Sequence, residues 1–152
     1  MHAIHHLALE EHPRAYRELY RVLKPGRTAA VVNGWHEPLL SRMAEPLIGV
    51  MRRLSGKAAK QKKNWLDEEA PAGTFVRKMT PEWLKQEVGS QMPLEIRPWR
   101  SMSTRLLRWF VHPRLGGKQF LRFVFWLEGV FPHFFGENGQ YPLIVIKKDA
   151  RP

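Results

Sequence analysis

Three histidines stand among the first six residues, and imidazole can bind a metal or transfer a proton near neutral pH. His2, His5 and His6 form an H-x-x-H-H pattern that supplies part of a zinc ligand set. The chain contains no cysteine, and no other residue stands at a spacing that would complete a tetrahedral site. No Ser-His-Asp order, paired-carboxylate motif or phosphate-binding loop stands out either. We therefore predict that the chain holds no metal.

A second group of chemically capable residues follows a short apolar run. Residues Thr28–Asn33 are apolar without alternation, which is typical of a strand that is buried on both faces. Asn33, Gly34, Trp35 and His36 come at its carboxyl end, where ligands of open α/β sheets bind. Asn33, Trp35 and His36 are therefore candidate substrate-binding residues. Trp35 has an alternative role as a core aromatic beneath the following helix.

The segment before that run predicts an amphipathic helix. Pro13 suits a first helical position, and Ala15, Leu19 and Val22 recur at helical spacing. The sequence Lys24-Pro25-Gly26 predicts its end, because proline cannot continue a helix and glycine accepts the turn that follows.

The rest of the chain alternates between helical and extended patterns, which together predict an α/β layer architecture. In chain order the predicted elements are a helix from Glu37 to about Gly56 interrupted at Pro46, a helix from Pro81 to Val88 after the N-cap Thr80, a strand Leu94–Trp99, a mainly helical stretch Thr104–Phe135 and a strand Tyr141–Lys148.

The net charge of +11 favours anionic partners such as phosphate backbones or lipid headgroups. The dense cluster Lys57, Lys60, Lys62 and Lys63 is more simply explained as a solvated surface. The first residues lack the order of a signal peptide, and no apolar run approaches the ~20 residues of a membrane-spanning helix. We therefore expect a cytoplasmic protein.

The run His5-His6-Leu7, the helix that ends in YRVLKPG at Gly26 and the apolar strand after it resemble class I S-adenosylmethionine-dependent methyltransferases of the type 11 group. In that family this motif follows the fourth strand, and the helix leads into the fifth. The resemblance implies that the chain forms the last three strands of a Rossmann-like sheet. Their order would be Thr28–Asn33, Tyr141–Lys148, Leu94–Trp99, with the chain-terminal strand central and antiparallel.

The family holds its cofactor with a glycine-rich turn after the first strand and an acidic residue after the second. No G-x-G occurs in this chain. By the resemblance, residues 1–152 form a single partial methyltransferase domain, and the N-terminal cofactor-binding half is missing. We therefore expect the isolated chain to be inactive.

The resemblance places the histidine-rich segment beside the cofactor and substrate crevice. It implies that Met1 and His2 contact S-adenosylmethionine and that His5 is a weak candidate for proton transfer or substrate contact. For His6, packing or capping at the helix start is the simpler role. Trp35 would form an apolar or cation-binding wall beside the sulfonium. The implied activity is methyl transfer to a small-molecule acceptor, which depends largely on positioning.

Residues 101–139 form a helical, aromatic-rich insertion between the last two strands, where the family often has a short hairpin. We favour plain packing of this segment over the sheet; the alternatives are a lid over a lipophilic acceptor and a peripheral membrane contact. A rival function is a non-enzymatic basic module that binds an anionic membrane surface or nucleic acid, although under the leading hypothesis no nucleic acid is expected. The sequence does not indicate an oligomeric state.

Overall fold

The computed structural model describes residues 4–54, 78–111 and 116–150 of the chain. Within these ranges it contains two short 3-10 helices, six α-helices and three strands. The 3-10 helices are Ile4–His6 and Leu9–Glu11. The α-helices are α1 His12–Val22, α2 Leu39–Leu54, α3 Pro81–Glu87, α4 Thr104–Phe110, α5 Gly117–Val130 and α6 Pro132–Asn138; the strands are β1 Thr28–Val32, β2 Leu94–Arg100 and β3 Tyr141–Lys147.

The three strands form one open sheet in the order β1-β3-β2. Both outer strands run antiparallel to β3, so that Val31 of β1 and Ile96 of β2 each lie opposite Ile144. Because both are antiparallel to the same strand, β1 and β2 run parallel to each other. The predicted strand order, with the last strand central and reversed, is confirmed, and so is the mixed α/β architecture.

The prediction that β1 is buried on both faces is wrong. Val31 is fully buried, but Thr28 and Ala30 are exposed on the opposite face of the strand. Side chains of a strand alternate between its two faces, and only the Val31 face packs against the core. The residues at positions 28 to 30 are small. The run therefore looked uniformly apolar in the sequence, although two of these three residues are exposed.

Two predicted helix ends have the expected local chemistry. After α1, Gly26 adopts a left-handed φ of +71°, and its N–H donates to the Lys148 carbonyl at 3.0 Å. At the start of α3, the Thr80 hydroxyl accepts a hydrogen bond of 3.2 Å from the Trp83 N–H. The Thr80 cap lies within one helical turn, whereas the turn at Gly26 is also held by the distant Lys148 carbonyl.

The predicted interruption of α2 at Pro46 does not occur, since the helix is continuous through that residue. Proline removes one main-chain donor and crowds the preceding turn, which bends helices more often than it separates them. Pro46 lies on the exposed side of α2. Water there can satisfy the carbonyl that lacks its usual donor.

The core lies where α1 and α3 cover the sheet. It consists of buried apolar side chains from the 3-10 helix, α1, β1, α3, β2 and β3 and from the segments that join them: Ile4, Tyr16, Val31, Trp35, Met79, Leu84, Val88, Met92, Ile96, Ile144 and Ile146. Helix α6 packs on β2 so closely that a side chain at Gly136 would lie 2.9 Å from the Ile96 carbonyl oxygen. This contact ties α6 to the edge of the sheet.

Plain packing, the favoured prediction for the aromatic segment, is wrong for much of α5. Val124 is buried, but Phe125 is 78% exposed, Trp126 58% and Phe123 55%. One side of α5 packs against the rest of the chain, whereas its aromatic residues are distributed around the whole circumference of the helix. In the part of the chain that the structure describes, no helix is long and apolar enough to cross a membrane.

Candidate functional site

The chain turns away from β3 immediately after β1, and this turn positions the candidate residues. The Trp35 N–H still donates to the Gln140 carbonyl at 3.3 Å, which continues the pairing with the β3 side. The next N–H, of His36, donates to the Met79 carbonyl at 3.1 Å, and Trp35 and Met79 form a parallel bridge. The residues just before α3 therefore lie beside the carboxyl end of β1.

Trp35 is part of the core. Only 2% of its surface is exposed, and its indole N–H donates a 2.8 Å hydrogen bond to the Gly136 carbonyl on α6. This arrangement matches the alternative of a core aromatic. A cation could reach the face of the ring only if the packing around it changed.

Asn33 is also buried, with 1% of its surface exposed. Its amide nitrogen lies 4.0 Å from the Met79 sulfur, which is a weak acceptor. Among the described residues its side-chain oxygen has no hydrogen-bond partner. A buried amide oxygen without a partner is costly, and because the atom is not exposed, a donor from a bound molecule could reach it only if the packing around it changed.

Tyr16 reaches the same part of the core from α1 and has no exposed surface. Burial raises the pKa of its phenol well above the usual value near 10, and hydrogen bonding to the Asn33 side chain lowers it in part. The two groups nevertheless fall short of full hydrogen-bond geometry, and the phenol oxygen has no other partner among the described residues. The contact between Tyr16 and Asn33 is therefore weak.

His12 lies one helical turn before Tyr16 and is also without exposed surface. Its Nε2 lies 3.2 Å from the Leu7 carbonyl oxygen. A carbonyl only accepts, so Nε2 carries the proton and Nδ1 is unprotonated in the neutral ring. Burial lowers the pKa of His12, and hydrogen bonding to the backbone of Leu7 and Ile4 opposes this in part.

The structure does not bring the remaining predicted site residues close to Tyr16, Asn33 and His12. His36 is exposed at the carboxyl end of β1, and His6 is exposed in the first 3-10 helix. Met1 and His2 lie outside the described residues, and His5 belongs to the same 3-10 helix without a described side chain. Across residues 4–54, 78–111 and 116–150, no three histidine or acidic side chains form a group that could hold a metal.

The group formed by Tyr16 and Asn33, with His12 one helical turn before Tyr16, thus consists of side chains that carry no charge or whose neutral form burial favours. It can donate and accept hydrogen bonds and orient a polar group, but a phenol with a raised pKa is a poor base near neutral pH. Sequence reasoning included Asn33 but missed His12 and Tyr16. Their i, i+4 spacing on α1 was the available signal, because it places both on the face that meets the sheet.

Comparisons with protein-family models, with curated proteins and with solved structures found no match for this chain. Its function has to be argued from its own residues and topology.

Proposed function

We propose that this chain is the C-terminal portion of a cytoplasmic class I methyltransferase with a Rossmann-like fold, which transfers a methyl group from S-adenosylmethionine to a small-molecule acceptor. The observation that supports the proposal is the strand order β1-β3-β2 with a reversed central strand. That order was expected from the methyltransferase resemblance. In this order the last strand of the chain lies between two strands that run parallel to each other, as the resemblance implies.

The residues of this chain do not fit a complete cofactor site. The sequence has no G-x-G turn, and the described cluster beyond β1 contains neutral side chains but no carboxylate that could hold ribose hydroxyls. The chain would instead provide one wall of the pocket. In that wall His36 is the exposed candidate for substrate contact, and Asn33 supplies a buried oxygen that can accept a hydrogen bond.

The remaining part of the pocket would come from a segment with strands next to β1. Within the described residues β1 forms one edge of the sheet, which is where the resemblance places the other strands. One wall alone cannot exclude water or offset the loss of ligand freedom on binding. We therefore expect no cofactor affinity in the isolated 152-residue chain.

The test combines the DNA upstream of the Met1 codon with a binding measurement. We expect an in-frame coding stretch there that contains a glycine-rich turn after an apolar strand. Calorimetric titration with S-adenosylmethionine should then show saturable binding by the longer product and none by the 152-residue chain. Adenosine titrated at the same concentrations is the matched control for binding of the nucleoside part alone.

The outcomes separate the two parts of the proposal. Saturable micromolar binding by the 152-residue chain would show that it holds a complete site, and the partial-domain hypothesis would be wrong. A longer product that carries the glycine-rich turn but does not bind S-adenosylmethionine would contradict the methyltransferase assignment itself.

A further inference from the structure

The outer surface of α5 is unusually rich in exposed aromatic rings. Phe125, Trp126 and Phe123 expose 78%, 58% and 55% of their surfaces within a helix of 14 residues. The rings of Phe123 and Trp126 stack at 6.0 Å between centroids, so they form one continuous apolar surface. Scattered exposed apolar residues are ordinary, but a contiguous aromatic surface indicates a contact with another molecule or phase.

Two cations lie on the same surface. Successive residues of a helix are about 100° apart, so positions two residues before and after buried Val124 point away from the core. These positions are Arg122 and Trp126, and Lys118 continues the same row one turn earlier. The outer face of α5 is therefore a row of two cations and an indole, with Phe125 and Phe123 on its two sides.

This face carries no negative charge. The only acidic residue of α5 is Glu128, which is half-buried. Its carboxylate accepts hydrogen bonds from the Ser101 N–H at 3.2 Å and from the Ser101 hydroxyl. Glu128 lies in the wall of the neighbouring groove, where Ser101 binds its carboxylate, whereas Lys118 and Arg122 are exposed on the outer face.

A groove of about 480 Å³ runs beside this face, between α5 on one side and the end of β2, α4 and the segment that joins them on the other. Most of its lining is apolar, including Met102 and Leu107, and Glu128 is its acidic member. Lys118, Arg122 and Phe125 belong both to the groove and to the outer face of α5. The groove and the helix face therefore form one amphipathic surface, which we call the α5 surface.

We propose that the α5 surface binds an anionic lipid bilayer, with α5 parallel to the membrane plane. At about 21 Å the helix is too short to span a bilayer, but it can lie at the boundary between headgroups and acyl chains. Phe125 and Trp126 would enter the apolar layer, while Lys118 and Arg122 contact anionic headgroups. The net charge of +11 draws the whole chain to the same surface.

A second copy of the chain and nucleic acid each fit only part of the α5 surface. In a two-fold contact with a second copy, the α5 surface would bring Lys118 and Arg122 close to the same residues of the other copy, which repel each other. Nucleic acid would satisfy these cations but would leave the apolar surface of Phe125 against a hydrophilic backbone. An anionic bilayer has both a negative surface and an apolar layer beneath it.

The test is co-sedimentation of the full chain with vesicles of two compositions. We expect binding to phosphatidylcholine vesicles that contain about 30% phosphatidylserine and at least about tenfold weaker binding to pure phosphatidylcholine. Binding should fall as sodium chloride rises from about 50 mM to about 500 mM, because salt screens the cations. Vesicle binding needs no cofactor, so its outcome is independent of the methyltransferase proposal.

Matched variants locate the contact. The double substitution Phe125→Ser and Trp126→Ser should weaken vesicle binding at least about tenfold. The control pair Met43→Ser and Val50→Ser removes apolar side chains of α2 that are 65% and 53% exposed and should leave binding unchanged. Likewise Arg122→Glu should weaken binding, whereas Lys24→Glu makes the same charge change at an exposed site outside the α5 surface. Urea unfolding midpoints verify that each variant is folded.

Several results would overturn the proposal: no binding to anionic vesicles, equal binding to both vesicle types, or equal losses in the α5 and α2 pairs. Tight binding of a DNA duplex that is abolished by Arg122→Glu but insensitive to the aromatic substitutions would assign the surface to nucleic acid. A dimer in sedimentation equilibrium that dissociates with the aromatic substitutions would assign it to a second copy.

Discussion

Burial determines the protonation states of the two polar side chains that α1 presents to the core. Burial favours the neutral phenol of Tyr16 by raising its pKa, and it favours the neutral imidazole of His12 by lowering its pKa. The Asn33 amide beside Tyr16 carries no charge in either state.

His12 should make the stability of the protein depend on pH. Its folded pKa lies below the ordinary value of 6.5, so just below that pH the unfolded chain binds a proton that the folded chain does not. Stability is therefore complete above the unfolded pKa and is lost as pH falls from there toward the folded pKa. We expect the urea midpoint to be lower at about pH 5.5 than at about pH 7.5.

The variant His12→Gln isolates this effect, because glutamine can still donate to the Leu7 carbonyl but does not titrate. Its urea midpoint should change less between the two pH values than that of the parent chain. His133→Gln, at an exposed position of α6, is the control and should retain the parent's pH dependence. If His12→Gln retains it too, His12 is not the source.

The position of a helix in this protein depends on how closely its backbone approaches the backbone of a neighbouring element. Helix α6 lies on β2 at Gly136, and a Cβ there would be 2.9 Å from both the Ile96 carbonyl oxygen and the Arg97 carbonyl carbon. Gly129 in α5 has no atom within 4 Å of the corresponding point. Identical residue types thus have opposite roles in adjacent helices.

Substituting alanine at the two glycines tests this difference. Gly136→Ala should lower the free energy of unfolding by about 1–3 kcal/mol, because backbone atoms must move to admit the methyl group. Gly129→Ala should raise it by roughly 0.5–1 kcal/mol, because alanine favours the helix and meets no neighbour. Urea unfolding measures both, and equal effects would contradict the close packing of α6 on β2.

At the scale of the whole molecule, positive charge is in excess. The chain has 25 lysines and arginines against 14 acidic residues. Some cations are paired, as where Glu95 on β2 contacts Lys147 at 3.1 Å and Arg97 at 2.7 Å, and these two neighbours, Arg97 foremost, lower the pKa of Glu95. The net charge of +11 acts as self-repulsion in the compact state.

Salt should therefore stabilise the fold. We expect the Tm to rise by a few degrees between about 20 mM and about 200 mM sodium chloride, because screening weakens the repulsion between cations. The variant with Arg14→Glu and Lys24→Glu, both at exposed positions, has a smaller excess of positive charge and should show a smaller rise. A Tm that falls with salt would mean that ion pairs outweigh the self-repulsion.

The sequence alone predicted the features that depend on neighbours a few residues away. The end of α1, the turn at Gly26 and the Thr80 cap all follow from proline and glycine geometry or from a hydrogen bond within one turn. The resemblance supplied the strand order as well. Both kinds of information are contained in a short run of residues or in the order of the elements.

Only the tertiary structure decided which side chains are buried. The Trp35 indole N–H bonds to Gly136, 101 residues away, and no local pattern shows that this carbonyl is near. The exposure of Phe125 and Trp126 likewise depends on which side of α5 meets the rest of the chain. Burial is a property of what packs around a residue, whereas a sequence pattern indicates only the residue's own preference. The candidate site was therefore only partly predictable, and the α5 surface became evident from the fold.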